Sequence, residues 1–222
     1  ALMEHALDGL TGAADAPDVL GHAPDAIRVA VVGRPNVGKS TLINRLLGEN
    51  RLVTGPEAGI TRDSIAIDWE WSDPNPEDPE FAVRRVRLID TAGMRKRAKV
   101  QDKLEKLSVA DARHAIDFSE VVVLLLDATK GLEVQDLKIA DHCIQEGRAL
   151  VIAINKWDIA ENGSSLFNGI RGALDEGLAQ LKGVPMIAVS AATGKGLDQM
   201  LSAAFAAREA WSRRVPTATL NR

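Results

Sequence analysis

One octapeptide constrains the fold of this chain more than any other segment: residues 33–40 read Gly-Arg-Pro-Asn-Val-Gly-Lys-Ser. It fits the pattern G-x4-G-K-[ST], a loop whose backbone N–H groups surround nucleotide phosphates. The apolar run 27–32 before it predicts a buried strand, and the leucines and isoleucine within 42–47 lie on one face of a helix. A strand, a glycine loop and a helix N-terminus form an anion site, because unpaired N–H groups and the helix dipole point toward the phosphate.

Length, charge and cysteine content fit a folded α/β domain. The 222 residues are 45% hydrophobic and 26% charged, which is enough apolar surface for one core. A net charge of −4 argues against a chain that binds nucleic acid electrostatically as a whole. The single cysteine, Cys143, cannot form an internal disulfide, and we expect it to be buried in a cytoplasmic protein. The four histidines lack metal-ligand spacing, and we expect neither a signal peptide nor a membrane span.

Strand and helix patterns alternate from residue 27 onward. Runs 121–126, 149–154 and 184–189 are short and continuously apolar, which is typical of parallel strands covered on both faces. The predicted fold class is therefore a three-layer α/β P-loop NTPase domain with a mainly parallel sheet.

One pair of strands has a different pattern. Apolar and polar residues alternate over 64–71, and the proline-rich segment 73–79 then predicts a turn before a second strand, 81–89. These features predict one antiparallel hairpin at the edge of the sheet. The alternation changes phase at Arg84 and Arg85, which predicts a β-bulge.

A second motif, Asp90-Thr-Ala-Gly93, directly follows a predicted strand. Ligands of open α/β sheets collect at the carboxyl ends of strands. Asp90 is suited to hold Mg²⁺ through water, while the hydroxyl of Ser40 would be a direct ligand. Gly93 carries a backbone N–H without side-chain bulk, so it can approach a γ-phosphate closely.

A third motif, Asn155-Lys-Trp-Asp158, indicates which base is bound. A carboxylate at Asp158 can accept hydrogen bonds from N1–H and the exocyclic amine of guanine, whereas adenine would leave it unpaired. The stem of Lys156 can lie along the base. Ser190-Ala191, after the run 184–189, could present a backbone N–H to guanine O6.

With these motifs in this order, residues 27–213 resemble the translation-factor-related GTPases, which have a Ras-like fold. The resemblance implies that Thr61, within Gly59-Ile-Thr-Arg-Asp63, closes over the γ-phosphate and completes the Mg²⁺ shell. It also implies that Asn36 binds K⁺; the alternative is that Asn36 caps backbone groups in its turn. Met94 stands where many such GTPases carry a glutamine that orients water, so we expect slow intrinsic hydrolysis.

Four segments resemble one subgroup more specifically, the bacterial ribosome-assembly GTPases that carry two tandem GTPase domains and a C-terminal KH-like domain. The segments are 90–97, 106–109, 135–140 and 155–158. The resemblance is to the second GTPase domain. It implies that residues 1–26 are the end of a preceding domain plus a flexible linker, 27–213 the GTPase domain, and 214–222 the start of a linker to a KH-like domain.

The implied function is a GTP-binding, slowly hydrolysing switch in assembly of the large ribosomal subunit. Its ligands would be GTP or GDP, Mg²⁺ and K⁺. Its partners would be the large subunit and rRNA, which it would contact mainly through the other domains, and the neighbouring GTPase and KH-like domains. We expect it to bind neither a membrane nor DNA and to be a monomer. Two alternatives stay open: a nucleotide-sensing module with negligible hydrolysis, and a related K⁺-dependent GTPase of tRNA modification or rRNA binding.

The sequence thus predicts three sets of site residues. The catalytic set is Lys39, Thr61, Gly93 and Asn36. The nucleotide-binding set is Gly33, Asn36, Val37, Gly38, Lys39, Ser40, Thr41, Asp90, Thr91, Ala92, Gly93, Met94, Asn155, Lys156, Trp157, Asp158, Ser190 and Ala191. The metal ligands are Ser40, Thr61 and Asp90 for Mg²⁺, and Asn36 for K⁺.

Overall fold

The structure, a computed structural model, describes residues 26–48, 53–54, 66–74, 83–89, 108–178 and 182–212. Its strands are β1 Ile27–Val32, β2 Val53–Thr54, β3 Ile67–Ser72, β4 Val83–Leu88, β5 Val121–Asp127, β6 Ala149–Asn155 and β7 Met186–Ala188. Its helices are α1 Lys39–Gly48, α2 Ser108–Asp117, α3 Val134–Gln145, α4 Gly163–Gly177 and α5 Leu197–Ser212, with a 3-10 turn at Trp157–Ile159.

The strands form one seven-stranded sheet in the order β2-β3-β4-β1-β5-β6-β7. The pairs β1–β4, β1–β5, β5–β6 and β6–β7 are parallel, whereas β3 is antiparallel to both β2 and β4. β1 lies where the strand order changes direction, and open α/β sheets bind ligands at the carboxyl ends of strands at such a point. The prediction of a mainly parallel sheet is confirmed.

Helices cover both faces of the sheet, so the three-layer prediction is also confirmed. One apolar cluster joins the sheet to α1 and α5 and includes Leu42, Trp71 and Phe205. The other joins the opposite face to α2, α3 and α4 and includes Ile139 and Leu174. Successive residues of β5 alternate between the two clusters, because side chains of a strand point to opposite faces.

The predicted hairpin is present, but the predicted bulge is wrong. β3 and β4 pair without interruption from Ile67 opposite Leu88 to Ser72 opposite Val83. The apparent phase change arises because Arg84 occupies a core-facing position of β4. Its guanidinium carbon lies 4.7 Å from the centre of the Phe205 ring, a cation–π contact that lets a charged residue occupy this face.

The edge of the sheet also differs from the expectation. The two-residue strand β2 pairs outside β3, with Val53 opposite Trp69 and Thr54 opposite Asp68. The hairpin is therefore one strand in from the edge. A two-residue strand is too short to produce a periodic pattern, so β2 could not be predicted from hydrophobic periodicity.

Cys143 is fully buried in the cluster beneath α3, as predicted. Among the described helices, none combines the length and the apolar composition of a membrane span. Segments 1–25 and 213–222, on which the domain boundaries were predicted, lie outside the described residues.

Candidate guanine-nucleotide site

The phosphate loop, residues 33–40, follows β1 and leads into α1. Gly33, Asn36 and Gly38 have φ angles of +147°, +63° and +97°, a backbone region that side chains disfavour. A β-carbon at Gly33 would overlap the carbonyl oxygen of Leu125 on β5. The first glycine of the motif is therefore required both by the turn and by the close approach of the neighbouring strand.

The beginning of α1 carries the polar residues of the loop. Lys39 Nζ donates to the carbonyl oxygens of Gly33 and Arg34 at 2.7 and 2.6 Å, so the ammonium group lies over the loop. Ser40 and Thr41 are exposed, which leaves their hydroxyl groups accessible at the helix N-terminus. This arrangement brings a cation, hydroxyls and helix N–H groups together, as an anion site needs.

Asn155, at the end of β6, connects three loops. Its Nδ2 donates to the carbonyl of Val37 at 2.8 Å, and its Oδ1 accepts from the N–H of Ala191 at 2.9 Å. The residue is 2% exposed, so both bonds are buried. The sequence assigned Asn155 to the nucleotide, and in the structure its amide joins the phosphate loop to the two base-side motifs.

The base segment, residues 155–158, turns sharply after β6. Lys156 has φ +63°, and the backbone N–H of the next residue, Trp157, donates to the carbonyl of Val189 at 3.1 Å. This turn leads into the 3-10 turn in which Asp158 is exposed. A carboxylate that faces solvent at a strand end is accessible to a ligand, and Asp158 is the residue that the sequence proposes for contact with the base.

Lys156 has a partner that the sequence analysis missed. Its Nζ donates to Asp127 Oδ2 at 2.6 Å, while the N–H and hydroxyl of Thr129 donate to Oδ1 at 2.9 and 2.7 Å. Asp127 is 1% exposed at the end of β5. Burial acts to raise the pKa of Asp127, but the hydrogen bonds from Lys156 and Thr129 outweigh it and lower the pKa. Asp127 ends an apolar strand, as Asn155 does and as Asp90 is predicted to follow one, and this position in the sequence could have identified it as a site residue.

Arg34 of the phosphate loop is the second functional residue that sequence reasoning missed. Its Nε donates to both carboxylate oxygens of Asp136 at 3.0 and 2.9 Å, and Nη1 lies 2.5 Å from Glu133. Arg34 is 6% exposed and Asp136 is fully buried. Asp136 belongs to a segment, 135–140, that had only suggested a family resemblance. In the structure it anchors the phosphate loop to α3.

The backbone N–H groups of Ser190 and Ala191, the predicted donors to guanine O6, both have partners within the chain. The N–H of Ser190 donates to the carbonyl of Lys195 at 2.9 Å, and that of Ala191 is taken by Asn155. Arg45 of α1 donates to the carbonyls of Ala191 and Ala192. Both predicted donors are thus used within the chain, which holds the loop in place against the phosphate side of the site.

The structure brings together the sequence-predicted residues of the phosphate loop, the base segment and the Ser190-Ala191 loop. The remaining predicted site residues lie outside the described part of the chain: Thr61, Asp90, Thr91, Ala92, Gly93 and Met94.

A comparison with protein families agrees with this geometry. A family model described as "50S ribosome-binding GTPase" matches residues 28–156, more than half of the chain. The chain belongs to this GTPase family. The matched span contains the phosphate loop and the first two residues of the base segment, Asn155 and Lys156.

Individual relatives are longer than this chain. GTPase Der of Novosphingobium aromaticivorans is 74% identical over 196 residues, which cover 88% of this chain and 42% of the relative. GTPase Der of Roseobacter denitrificans is 54% identical over 217 residues, covering 98% of this chain and 43% of the relative. The chain thus spans less than half the length of these relatives.

Solved structures of other GTPases share the fold. Translation elongation factor SelB from Methanococcus maripaludis matches with a TM-score of 0.58 at 18% identity, covering 87% of this chain and 36% of that chain. Era in complex with MgGDPNP and nucleotides 1506-1542 of 16S ribosomal RNA matches with a TM-score of 0.54 at 26% identity, covering 80% and 55%. The fold assignment made from the sequence is confirmed.

Proposed function

We propose that this chain binds GTP and GDP and slowly hydrolyses GTP to GDP and phosphate. The observation that carries the proposal is the position of Asn155, whose amide joins the phosphate loop to the Ser190-Ala191 loop beside the exposed Asp158. A phosphate-binding element and a carboxylate suited to guanine are thus parts of one cradle.

Each end of the cradle has a distinct task. The loop N–H groups and Lys39 hold the phosphates, and Lys39 exchanges its bonds to the Gly33 and Arg34 carbonyls for phosphate oxygens. Asp158 accepts from the guanine edge. The amides of Ser190 and Ala191 have partners within the chain, and the proposed donor to guanine O6 exchanges its partner there for the base.

The residues around α1 suit Mg²⁺, which prefers oxygen ligands and usually retains several waters. Ser40 offers an exposed hydroxyl at the helix N-terminus, and Asp90 and Thr61 are the further proposed oxygen donors. When bound, Mg²⁺ neutralises charge on the phosphate oxygens. The proposed catalytic residues are Lys39, which stabilises developing phosphate charge, and Thr61 and Gly93, which contact the γ-phosphate.

We also propose that Asn36 ligates K⁺. Asn36 is exposed at φ +63°, and its side chain makes no hydrogen bond to the part of the chain that the structure describes. This supports the ligand role over the alternative in which the side chain caps its own turn. A monovalent cation here would neutralise charge as the phosphoryl group transfers.

The cellular role we propose is assembly of the large ribosomal subunit in the bacterial cytoplasm. The support is the family description, which names the 50S ribosome, and the identity to GTPase Der. We further propose that residues 27–213 form the GTPase domain, that the flanking segments connect to a second GTPase domain and a KH-like domain, and that the chain is monomeric.

The second candidate is a nucleotide-sensing module with negligible hydrolysis, which Met94 favours because its thioether cannot orient water.

Hydrolysis by the 222-residue chain should be measured under single turnover with Mg²⁺, in KCl and then in NaCl at equal ionic strength, with ATP as control. The proposal expects hydrolysis of GTP alone, faster in KCl. Tight GTP binding without turnover in either salt would favour the sensing module, and equal use of ATP would contradict the guanine assignment.

A further inference from the structure

We infer that Asp127 and Asp136 are positioning residues that hold the two nucleotide-binding segments in register. Both belong to residues 127–136, which run from the last residue of β5 into the first turn of α3 and which we call the brace. Asp127 fixes the base segment through Lys156, and Asp136 fixes the phosphate loop through Arg34. The inference rests on the proposed function, because it concerns the segments that would hold the nucleotide.

At the phosphate end, the contact is a buried ion pair between side chains that are 7% and 0% exposed. Arg34 directly follows Gly33, and its own carbonyl accepts from Lys39 at 2.6 Å. A buried charge is costly without its partner, so the guanidinium keeps its position on Asp136. The backbone of the phosphate loop is thereby restrained by the Arg34 side chain as well as by its connection to β1.

At the base end, Asp127 restrains a residue whose backbone is already unusual. Lys156 has φ +63° and is the second residue of the base segment. Its Nζ is bound to a carboxylate that Thr129 also holds through two hydrogen bonds. The aliphatic stem of Lys156 is therefore held toward Asp127. Asp158, the exposed carboxylate proposed to contact the base, is two residues further along the chain.

Within the brace, hydrogen bonds connect the two ends. The N–H groups of Lys130 and Gly131 donate to the carbonyl of Asp127 at 3.0 and 2.9 Å. Arg34 Nη2 donates to the carbonyl of Gly131 at 3.4 Å. A continuous path of contacts thus runs from Arg34 through Gly131 and Asp127 to Lys156. The brace also contacts Asn155, whose carbonyl accepts from the N–H of Ala128 at 2.9 Å.

A purely structural role for these carboxylates predicts a different outcome from a positioning role. If the ion pairs only stabilise the fold, removing them lowers the melting temperature while the folded protein releases nucleotide at its usual rate. If they position the two segments, the folded protein itself releases nucleotide faster. The dissociation rate constant of a fluorescent GDP analogue, measured by stopped flow alongside the melting temperature, separates these cases.

The test variants are Asp127→Asn and Asp136→Asn, with Asp141→Asn as the matched control. Asp141 lies on α3 and contacts Gln145 at the surface. We expect each brace variant to release the analogue about tenfold faster, the typical effect of losing a charge-assisted hydrogen bond. Asp141→Asn should stay within about twofold of the unsubstituted chain. Brace variants that lower the melting temperature yet release the analogue at the control rate would overturn the inference.

Two further measurements complete the test. In the double variant Asp127→Asn/Asp136→Asn, a single brace predicts less acceleration than the product of the two single effects, whereas multiplying effects would reject the connection. If Asp127→Asn does not fold, Thr129→Val removes one hydrogen bond from Asp127 and should accelerate release about threefold; an unchanged rate would count against the inference. Failure of the unsubstituted chain to bind the analogue would contradict the proposed function, whereas binding with unaffected variants would contradict the inference alone.

Discussion

Gly38 of the phosphate loop lies so close to Asn155 of β6 that a β-carbon at position 38 would overlap the Asn155 amide nitrogen. That nitrogen donates to the carbonyl of Val37 at 2.8 Å, so displacing it would break a buried hydrogen bond. Gly38 also has φ +97°, which a side chain strains. The second glycine of the phosphate motif is thus fixed by the base segment as well as by its own turn.

Gly38→Ala should therefore lower both stability and nucleotide affinity. Displacing the Asn155 amide would leave buried polar groups unpaired, at about 1–3 kcal/mol each, and add backbone strain. Calorimetric melting and titration with a fluorescent GDP analogue check this. Gly172→Ala is the control, since no atom lies within 4 Å of a β-carbon there and α4 should gain about 0.5–1 kcal/mol. Equal behaviour of the two variants would refute the proposed contact.

Asp158→Ala should weaken GTP binding by about ten- to a hundredfold while leaving the fold intact, because a charge-assisted pair of bonds to guanine is lost from an exposed residue. Competition titrations with GTP and ATP give the affinities. Glu161→Ala removes a neighbouring exposed carboxylate and should change neither. If ATP competed equally with GTP in the unsubstituted chain, Asp158 would not be the residue that selects the base.

Asn36→Ala should abolish any preference for K⁺ over Na⁺ in GTP hydrolysis, because it removes the proposed amide ligand from the phosphate loop. The ratio of single-turnover rates in KCl and NaCl is the measurement. Asn168→Ala, an exposed asparagine on α4, controls for loss of an amide elsewhere. A potassium preference that survived in Asn36→Ala would assign the cation to other ligands.

Cys143 should resist alkylation in the folded chain and react quickly in urea. Burial raises its pKa from 9.0 to about 12, so the reactive thiolate is scarce at neutral pH. Because the folded pKa is the higher one, this thiol contributes stability below about pH 9, and the contribution is lost as pH rises from about 9 toward 12. Mass spectrometry after iodoacetamide treatment checks the first point. Rapid native labelling would mean that α3 opens readily.

Much of the fold was accessible to sequence reasoning because its signals are local. Continuous apolar runs predicted β5, β6 and β7, and alternation over 64–71 predicted the hairpin partner of β4. The bulge was wrongly predicted because the alternation rule treated Arg84 as a solvent-facing residue. In the structure its guanidinium lies over the Phe205 ring.

Local sequence patterns were sufficient to predict a phosphate loop, a base-reading segment and their supporting strands, since each motif depends on residue types within a few positions. The side chains that hold these segments were evident only from the folded chain. Arg34 and Asp136 are 102 positions apart, and Asp127 and Lys156 are 29 apart. A local pattern reports whether a residue is buried and which backbone it adopts. The partner of a buried charge depends on which strands become neighbours in the sheet, and that is set by the packing of the whole chain.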